Sequence, residues 1–237
     1  MSGGRFYGIG VGPGDPELLT LKAERLLRQC AVVCTPKRNL RDDGYAAGIV
    51  RDLLRPAEQE ELALEFPMNR DWERLKPYWE RNAALIQERL TAGKDCAFVT
   101  EGDPFLYSTF IYLYQYLRRH HPEVPIEVVP GVTSFTAAAA RAGLPLANQD
   151  ERIAVLPTVK DTAEAVQILS QFDTVVFLKV NAVFDRVLAA LEQLDLVDRA
   201  VWVHKATAPG AEEIVTDIRS LVGRGRLPYL SLLLVRK

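Results

Sequence analysis

Gly8-Ile9-Gly10-Val11-Gly12-Pro13-Gly14-Asp15, a few residues from the start, is the stretch on which the reading of the fold turns. It closes the apolar run Phe6–Val11, which reads as a strand. Glycine at every second position permits sharp turns and close approaches that a Cβ forbids. Pro13 sets one backbone torsion and removes one N–H. The combination predicts a stiff turn at the carboxyl end of a strand, with its backbone turned towards a ligand. Its grammar differs from the usual dinucleotide loop, which opens directly into a helix and places an acid at the end of the second strand for the ribose. Here Pro13 interrupts the pattern, and the second strand ends in Thr35-Pro36-Lys37 without an acid. A tight strand-to-helix turn with no ligand is the alternative reading of this segment.

Outward from that turn, short apolar runs alternate with helical patterns almost to the end of the chain. Strands are expected at Phe6–Val11, Ala31–Thr35, Asp95–Thr100, Ile126–Val129, Ile153–Leu156, Thr174–Lys179, Ala200–His204 and Tyr229–Val235. They alternate poorly and are rich in Val, Ile, Leu and Phe, as in a sheet covered on both faces. Asp15-Pro16 reads as a helix start, with Leu19, Ala23, Leu26, Leu27 and Cys30 following at helical spacing. Further helices are expected over 79–90, stopping at Gly93, and over 108–119, 133–142, 162–171, 182–194 and 216–224. The fold class is therefore α/β. Arg141–Glu151, with Gly143, Pro145 and Asn148, is the best hinge between two such units, so domains are expected at 1–143 and 144–237. The charged stretch 39–74, broken by Pro56 and Pro67, reads as a helix and an irregular surface excursion.

Two more strand ends repeat the chemistry of the first. Thr100-Glu101-Gly102-Asp103-Pro104-Phe105-Leu106-Tyr107-Ser108 places acids beside Gly and Pro where open α/β sheets bind ligands. Asp103 either accepts hydrogen bonds from a ligand or caps the next helix. Val129-Pro130-Gly131-Val132-Thr133-Ser134 opens an alanine-rich helix that Thr133 or Ser134 would cap.

Composition excludes several classes. Lys and Arg number 29 against 31 Asp and Glu, a net charge of -2 that carries no nucleic-acid footprint. Three cysteines, Cys30, Cys34 and Cys96, lack paired spacing and read as buried small hydrophobes. No His/Cys/Asp cluster has metal-ligand spacing. Met1–Arg5 lacks the start of a secretory signal, and no apolar run nears the ~18 residues of a membrane span, so a cytoplasmic chain is expected.

Taken together, the three turns resemble those of the tetrapyrrole (corrin/porphyrin) methyltransferase family over essentially the whole chain. The family's glycine-rich loop is matched by Gly10-Val11-Gly12-Pro13-Gly14-Asp15, its GDP loop by Gly102-Asp103-Pro104, and its PGxTS element by Pro130–Ser134. The resemblance implies two α/β domains with S-adenosylmethionine in the cleft between them, S-adenosylhomocysteine as product, a tetrapyrrole substrate and a homodimer. It further implies a cofactor pocket including Pro13, Glu101, Gly102, Asp103, Leu106, Thr133, Ser134, Lys179 and Ala206. The uroporphyrinogen branch carries an Asp where this chain has Pro36. Thr35-Pro36-Lys37, Glu101, Phe177-Leu178-Lys179 and His204-Lys205-Ala206-Thr207-Ala208-Pro209-Gly210 look instead like the precorrin-2 and cobalt-factor II C-20 methyltransferases. That branch implies methylation of a meso carbon in cobalamin biosynthesis, with Lys179 and His204 as candidates for the proton acceptor. Tyr107 is a candidate to flank a ligand, whereas Tyr112, Tyr114 and Tyr116 read as core and helix surface. Alternatives are methylation at another ring carbon and, from another class, a nicotinamide-dependent oxidoreductase.

Overall fold

The computed structural model describes residues 3–69 and 71–237. The chain divides into two compact units, Met1–Thr133 and Ser134–Lys237. In the first unit, β1 (Phe6–Gly10) leads to α1 (Leu21–Gln29), β2 (Val32–Lys37), α2 (Tyr45–Val50) and β3 (Glu60–Glu65). It continues through α3 (Trp72–Thr91), β4 (Cys96–Thr100), α4 (Phe110–His120) and β5 (Ile126–Val129). The strands lie in the order β3-β2-β4-β1-β5, and every neighbouring pair is parallel.

Side chains alternate across the strands, and each face of the sheet buries a different set. Tyr7, Ile9, Val33, Ala97 and Val99 meet Ala23, Leu26 and Leu27 of α1 and Ala46, Ile49 and Val50 of α2. Phe6, Val32, Cys34, Cys96 and Phe98 meet α3 and α4 through Ile86, Leu90, Phe110 and Leu113. The chain thus leaves β1 towards β2 over one face and leaves β4 towards β5 over the other. That reversal makes the carboxyl ends of β1 and β4 a topological switch point, where such sheets open a crevice.

Three elements of this unit differ from expectation. β3 lies within the stretch expected to be a surface excursion, and forms the sheet edge beside β2. Only Leu62 and Leu64 of its six residues are buried, so the alternation is short and sits among acids. α3 begins at Trp72 rather than Trp79, capped by Asp71, whose carboxylate accepts from Glu73 N at 3.1 Å, and runs through Pro77. Pro77 is the sixth residue of the helix and lies inside it, where it lacks the N–H that would bond the Glu73 carbonyl. The helix beginning at Asp15 splits: Asp15 caps a 3-10 turn at Pro16–Leu18, and Thr20 caps α1 through Ala23 N at 3.1 Å.

The second unit contains α5 (Ser134–Ala142), β6 (Ile153–Leu156), α6 (Thr162–Gln171), β7 (Thr174–Leu178), α7 (Phe184–Gln193), β8 (Ala200–His204), β9 (Glu213–Val215) and β10 (Ser231–Arg236). Its sheet order is β6-β7-β10-β8-β9, parallel only between β6 and β7. The helix expected over 216–224 shrinks to a 3-10 turn at Ile218–Leu221, because Gly223 and Gly225 take positive φ. β9, three residues long, lay below the length that periodicity can detect. α5, expected in the first domain, packs on β10. The segment expected as a hinge is tied down within this unit. Arg236 reaches the Pro145 carbonyl and pairs with Glu151 at 2.9 Å.

Candidate functional site

The alternate glycines of the opening motif have distinct jobs. Gly8 lies inside β1, and a Cβ there would stand 2.2 Å from the Phe110 ring, so its absence lets α4 close on the sheet. Gly10 ends the strand, where a Cβ would meet Gly102 O at 2.6 Å and Gly131 N at 2.7 Å. A Cβ on Gly131 would stand 2.2 Å from Gly102 O. The three turns after β1, β4 and β5 therefore touch backbone to backbone, which only residues without side chains allow. Val11 N donates to Thr100 O at 2.9 Å and Gly102 N to Gly12 O at 2.8 Å, extending the β1–β4 contact past the sheet.

Asp103 joins two of these turns. Its Oδ1 accepts from Phe105 N at 2.9 Å and its Oδ2 from Gly131 N at 3.1 Å. Beside the two roles weighed for it, capping and ligand binding, stands a third: a carboxylate brace between the β4 and β5 turns. Pro104 is buried, Leu106 half-buried, and Phe105 and Tyr107 are exposed, Tyr107 with φ 53°. Beneath the turn, Thr100 and Ser108 share a buried hydroxyl–hydroxyl bond of 2.8 Å. Thr133 precedes α5 and Ser134 opens it. Pro13, Glu101, Gly102, Asp103, Leu106 and Thr133 thus lie on turns from three adjacent strands.

Two side chains at this edge carried no motif signal. Tyr45, the first residue of α2, donates its hydroxyl to Pro13 O at 3.0 Å. Burial, then the nearby Glu101 carboxylate, push its pKa up to about 12. Glu61 of β3 accepts from Thr35 at 2.9 Å and pairs with Lys37 at 3.4 Å. The basic end of β2 is therefore answered by the strand missed in the sequence.

In the second unit the flagged residues lie at the carboxyl ends of β7 and β8, on either side of the start of β10. Lys179, Lys205 and Thr207 all take positive φ, at 52°, 46° and 65°. Strained backbone of this kind persists only where surrounding contacts hold it. Lys179 Nζ lies 5.7 Å from the centroid of the Tyr229 ring, a cation–π contact. Thr207 N donates to Glu212 at 2.7 Å, and Arg141 of α5 grips the same carboxylate through two nitrogens at 2.6–3.0 Å. Arg141 first, with Thr207 N, holds the Glu212 pKa below its usual range against the effect of burial. Ala206 is buried. His204 stacks on Trp202, and burial, followed by the Lys205 charge, lowers its pKa against the opposing pull of Glu213.

Away from these turns, Tyr112 stacks on Trp79, Tyr114 packs on Phe105 and Phe110, and Tyr116 on His120, as core and helix surface. The three cysteines are free and buried. Among the described residues, no group of three or more His, Cys, Asp or Glu is arranged to hold a metal ion, and no helix is long and apolar enough to cross a membrane.

A family model for tetrapyrrole (corrin/porphyrin) methylases matches residues 5–222. The chain is 39% identical over 235 residues to the cobalt-precorrin-2 C(20)-methyltransferase of Salmonella typhimurium LT2, covering 99% of this chain and 97% of the relative. It is 32% identical over 246 residues to the precorrin-2 C(20)-methyltransferase of a Sinorhizobium species, with 99% and 97% covered. Among solved structures, uroporphyrin-III C-methyltransferase from Thermus thermophilus, complexed with S-adenosylhomocysteine, is similar with a TM-score of 0.67 at 27% identity, over 99% of this chain and 98% of that one.

Proposed function

The chain belongs to the tetrapyrrole (corrin/porphyrin) methylases, and from that premise we propose that it methylates the C-20 meso carbon of precorrin-2, or of its cobalt-bearing form, in cobalamin biosynthesis. One observation carries the choice of reaction: relatives named for C(20) methylation align with it from end to end.

The residues present fit S-adenosylmethionine as methyl donor. The glycine junction at the switch point brings the turns after β1, β4 and β5 together backbone to backbone, so that backbone groups are gathered where a donor would be held. A donor there would be held by Pro13, Glu101, Gly102, Asp103, Leu106 and Thr133. Ser134, Lys179 and Ala206 of the second unit complete the set in this reading. S-adenosylmethionine supplies an electrophilic methyl group on a sulfonium.

What the protein adds is alignment. A meso carbon flanked by pyrroles is already nucleophilic, so no strong base is needed. Holding reacting atoms in line contributes on the order of 7–11 kcal/mol. Once the carbon–methyl bond has formed, the meso proton must leave. Of the two candidates, His204 is the better acceptor, because its lowered pKa keeps the imidazole neutral. Lys179, with its ammonium over Tyr229, suits a substrate carboxylate. A homodimer and a cytoplasmic location belong to the same reading.

Titration calorimetry tests the donor assignment. S-adenosylhomocysteine should bind the purified protein, and NAD should give no heat. Binding of NAD without S-adenosylhomocysteine would instead favour an oxidoreductase.

A further inference from the structure

Three hydrogen bonds described above hold the glycine turn after β1. Two of them, Val11 N to Thr100 O and Gly102 N to Gly12 O, continue the contact between β1 and β4. The third comes from a different part of the chain: the Tyr45 hydroxyl, 32 residues on, donates to Pro13 O at 3.0 Å. Its placement has a local cause. Gly44 takes φ 76°, and a Cβ on it would stand 3.0 Å from Pro36 O, so α2 begins hard against the end of β2. Tyr45 then meets Pro13 of one turn and feels the Glu101 charge of the next. Pro13 is buried, so its carbonyl depends on protein donors rather than water.

We propose that Tyr45 is a positioning residue for the methyl donor, orienting the Pro13–Gly14 peptide through its hydrogen bond to the Pro13 carbonyl. The inference rests on the donor-binding reading of this turn. It gives the β2–β3 connection, which the sequence showed only as a charged excursion, a part in building the site. The raised pKa keeps the hydroxyl protonated, and therefore donating, across the working pH range.

The test is Tyr45→Phe, which removes one oxygen and keeps the ring. Loss of one such hydrogen bond corresponds to about a 3–10-fold change in an equilibrium constant. The Kd for S-adenosylhomocysteine and the KM for S-adenosylmethionine should both rise by about that factor. The kcat at saturating donor and the KM for the tetrapyrrole should stay as in wild type. Gly44→Ala, which displaces Tyr45 without changing it, should weaken S-adenosylhomocysteine in the same direction. A contact that serves only folding would lower Tm and leave donor Kd and KM unchanged, and that result overturns the inference. Wild type that fails to bind S-adenosylhomocysteine sinks the donor reading and this inference together. Wild type that binds it, with Tyr45→Phe binding equally well, sinks this inference alone.

Discussion

The carboxylate of Asp103 accepts one N–H from its own turn and one from Gly131 of the turn after β5. Asp103→Ala would leave Gly131 N without its acceptor, at a cost of about 1–3 kcal/mol. We therefore expect both a lower Tm, followed by circular dichroism, and S-adenosylhomocysteine binding weakened at least tenfold. Weaker binding with Tm unchanged would mean that the carboxylate acts on the ligand and not as a brace. His204 makes a pH prediction. Its folded pKa lies below the ordinary value of ~6.5, so its neutral form is favoured by folding. That contribution to stability is present above the unfolded pKa and is lost as pH falls below it. Activity should accordingly persist through pH 6.5 and decline only at lower pH, and His204→Gln should abolish that acid limb. An acid limb unchanged in His204→Gln would remove His204 as the proton acceptor.

At the scale of elements, the turns are set by backbone contact, which makes glycine substitutions severe. Gly131→Ala places a methyl 2.2 Å from a carbonyl oxygen that cannot rotate away. Such overpacking costs roughly 1–3 kcal/mol or more, and S-adenosylhomocysteine binding measured by calorimetry should be lost. Normal binding in Gly131→Ala would show that the turns need not touch. Glu212→Gln tests the corresponding brace in the second unit, where one carboxylate holds Thr207 N and Arg141. Its pKa is lowered in the fold, so its support is present above ~4.5 and fails as pH falls through the folded value. The variant should show faster hydrogen exchange at residues 205–207 and a weaker fall in stability on acidification. Exchange and acid sensitivity unchanged from wild type would exclude the brace.

How much of this was legible before the structure follows from the same contacts. β1, β4 and β5 and their turns were legible because buried parallel strands are continuous apolar runs and Gly/Pro turns have strong local signals. β3 was not, because two buried leucines between acids read as a charged loop. α3 was expected to begin only after Pro77, yet the helix runs through that proline. Tyr45 and Glu212 were invisible for a different reason. Their roles depend on hydrogen bonds to the backbone of another segment, and no local pattern marks those.

For the whole molecule, the all-parallel sheet gathers candidate residues at the carboxyl ends of β1, β4 and β5, and the mixed sheet at those of β7 and β8, which flank the start of β10. The relatives' names differ in whether the substrate carries cobalt, so both forms enter the test. The direct measurement is product regiochemistry. The protein is incubated with S-adenosylmethionine bearing a 13C-methyl group and with precorrin-2, metal-free and cobalt-loaded, and the product is assigned by NMR. A single labelled methyl at C-20 of at least one substrate is the expected result. Label at any other ring carbon, or no transfer to either form, would contradict it.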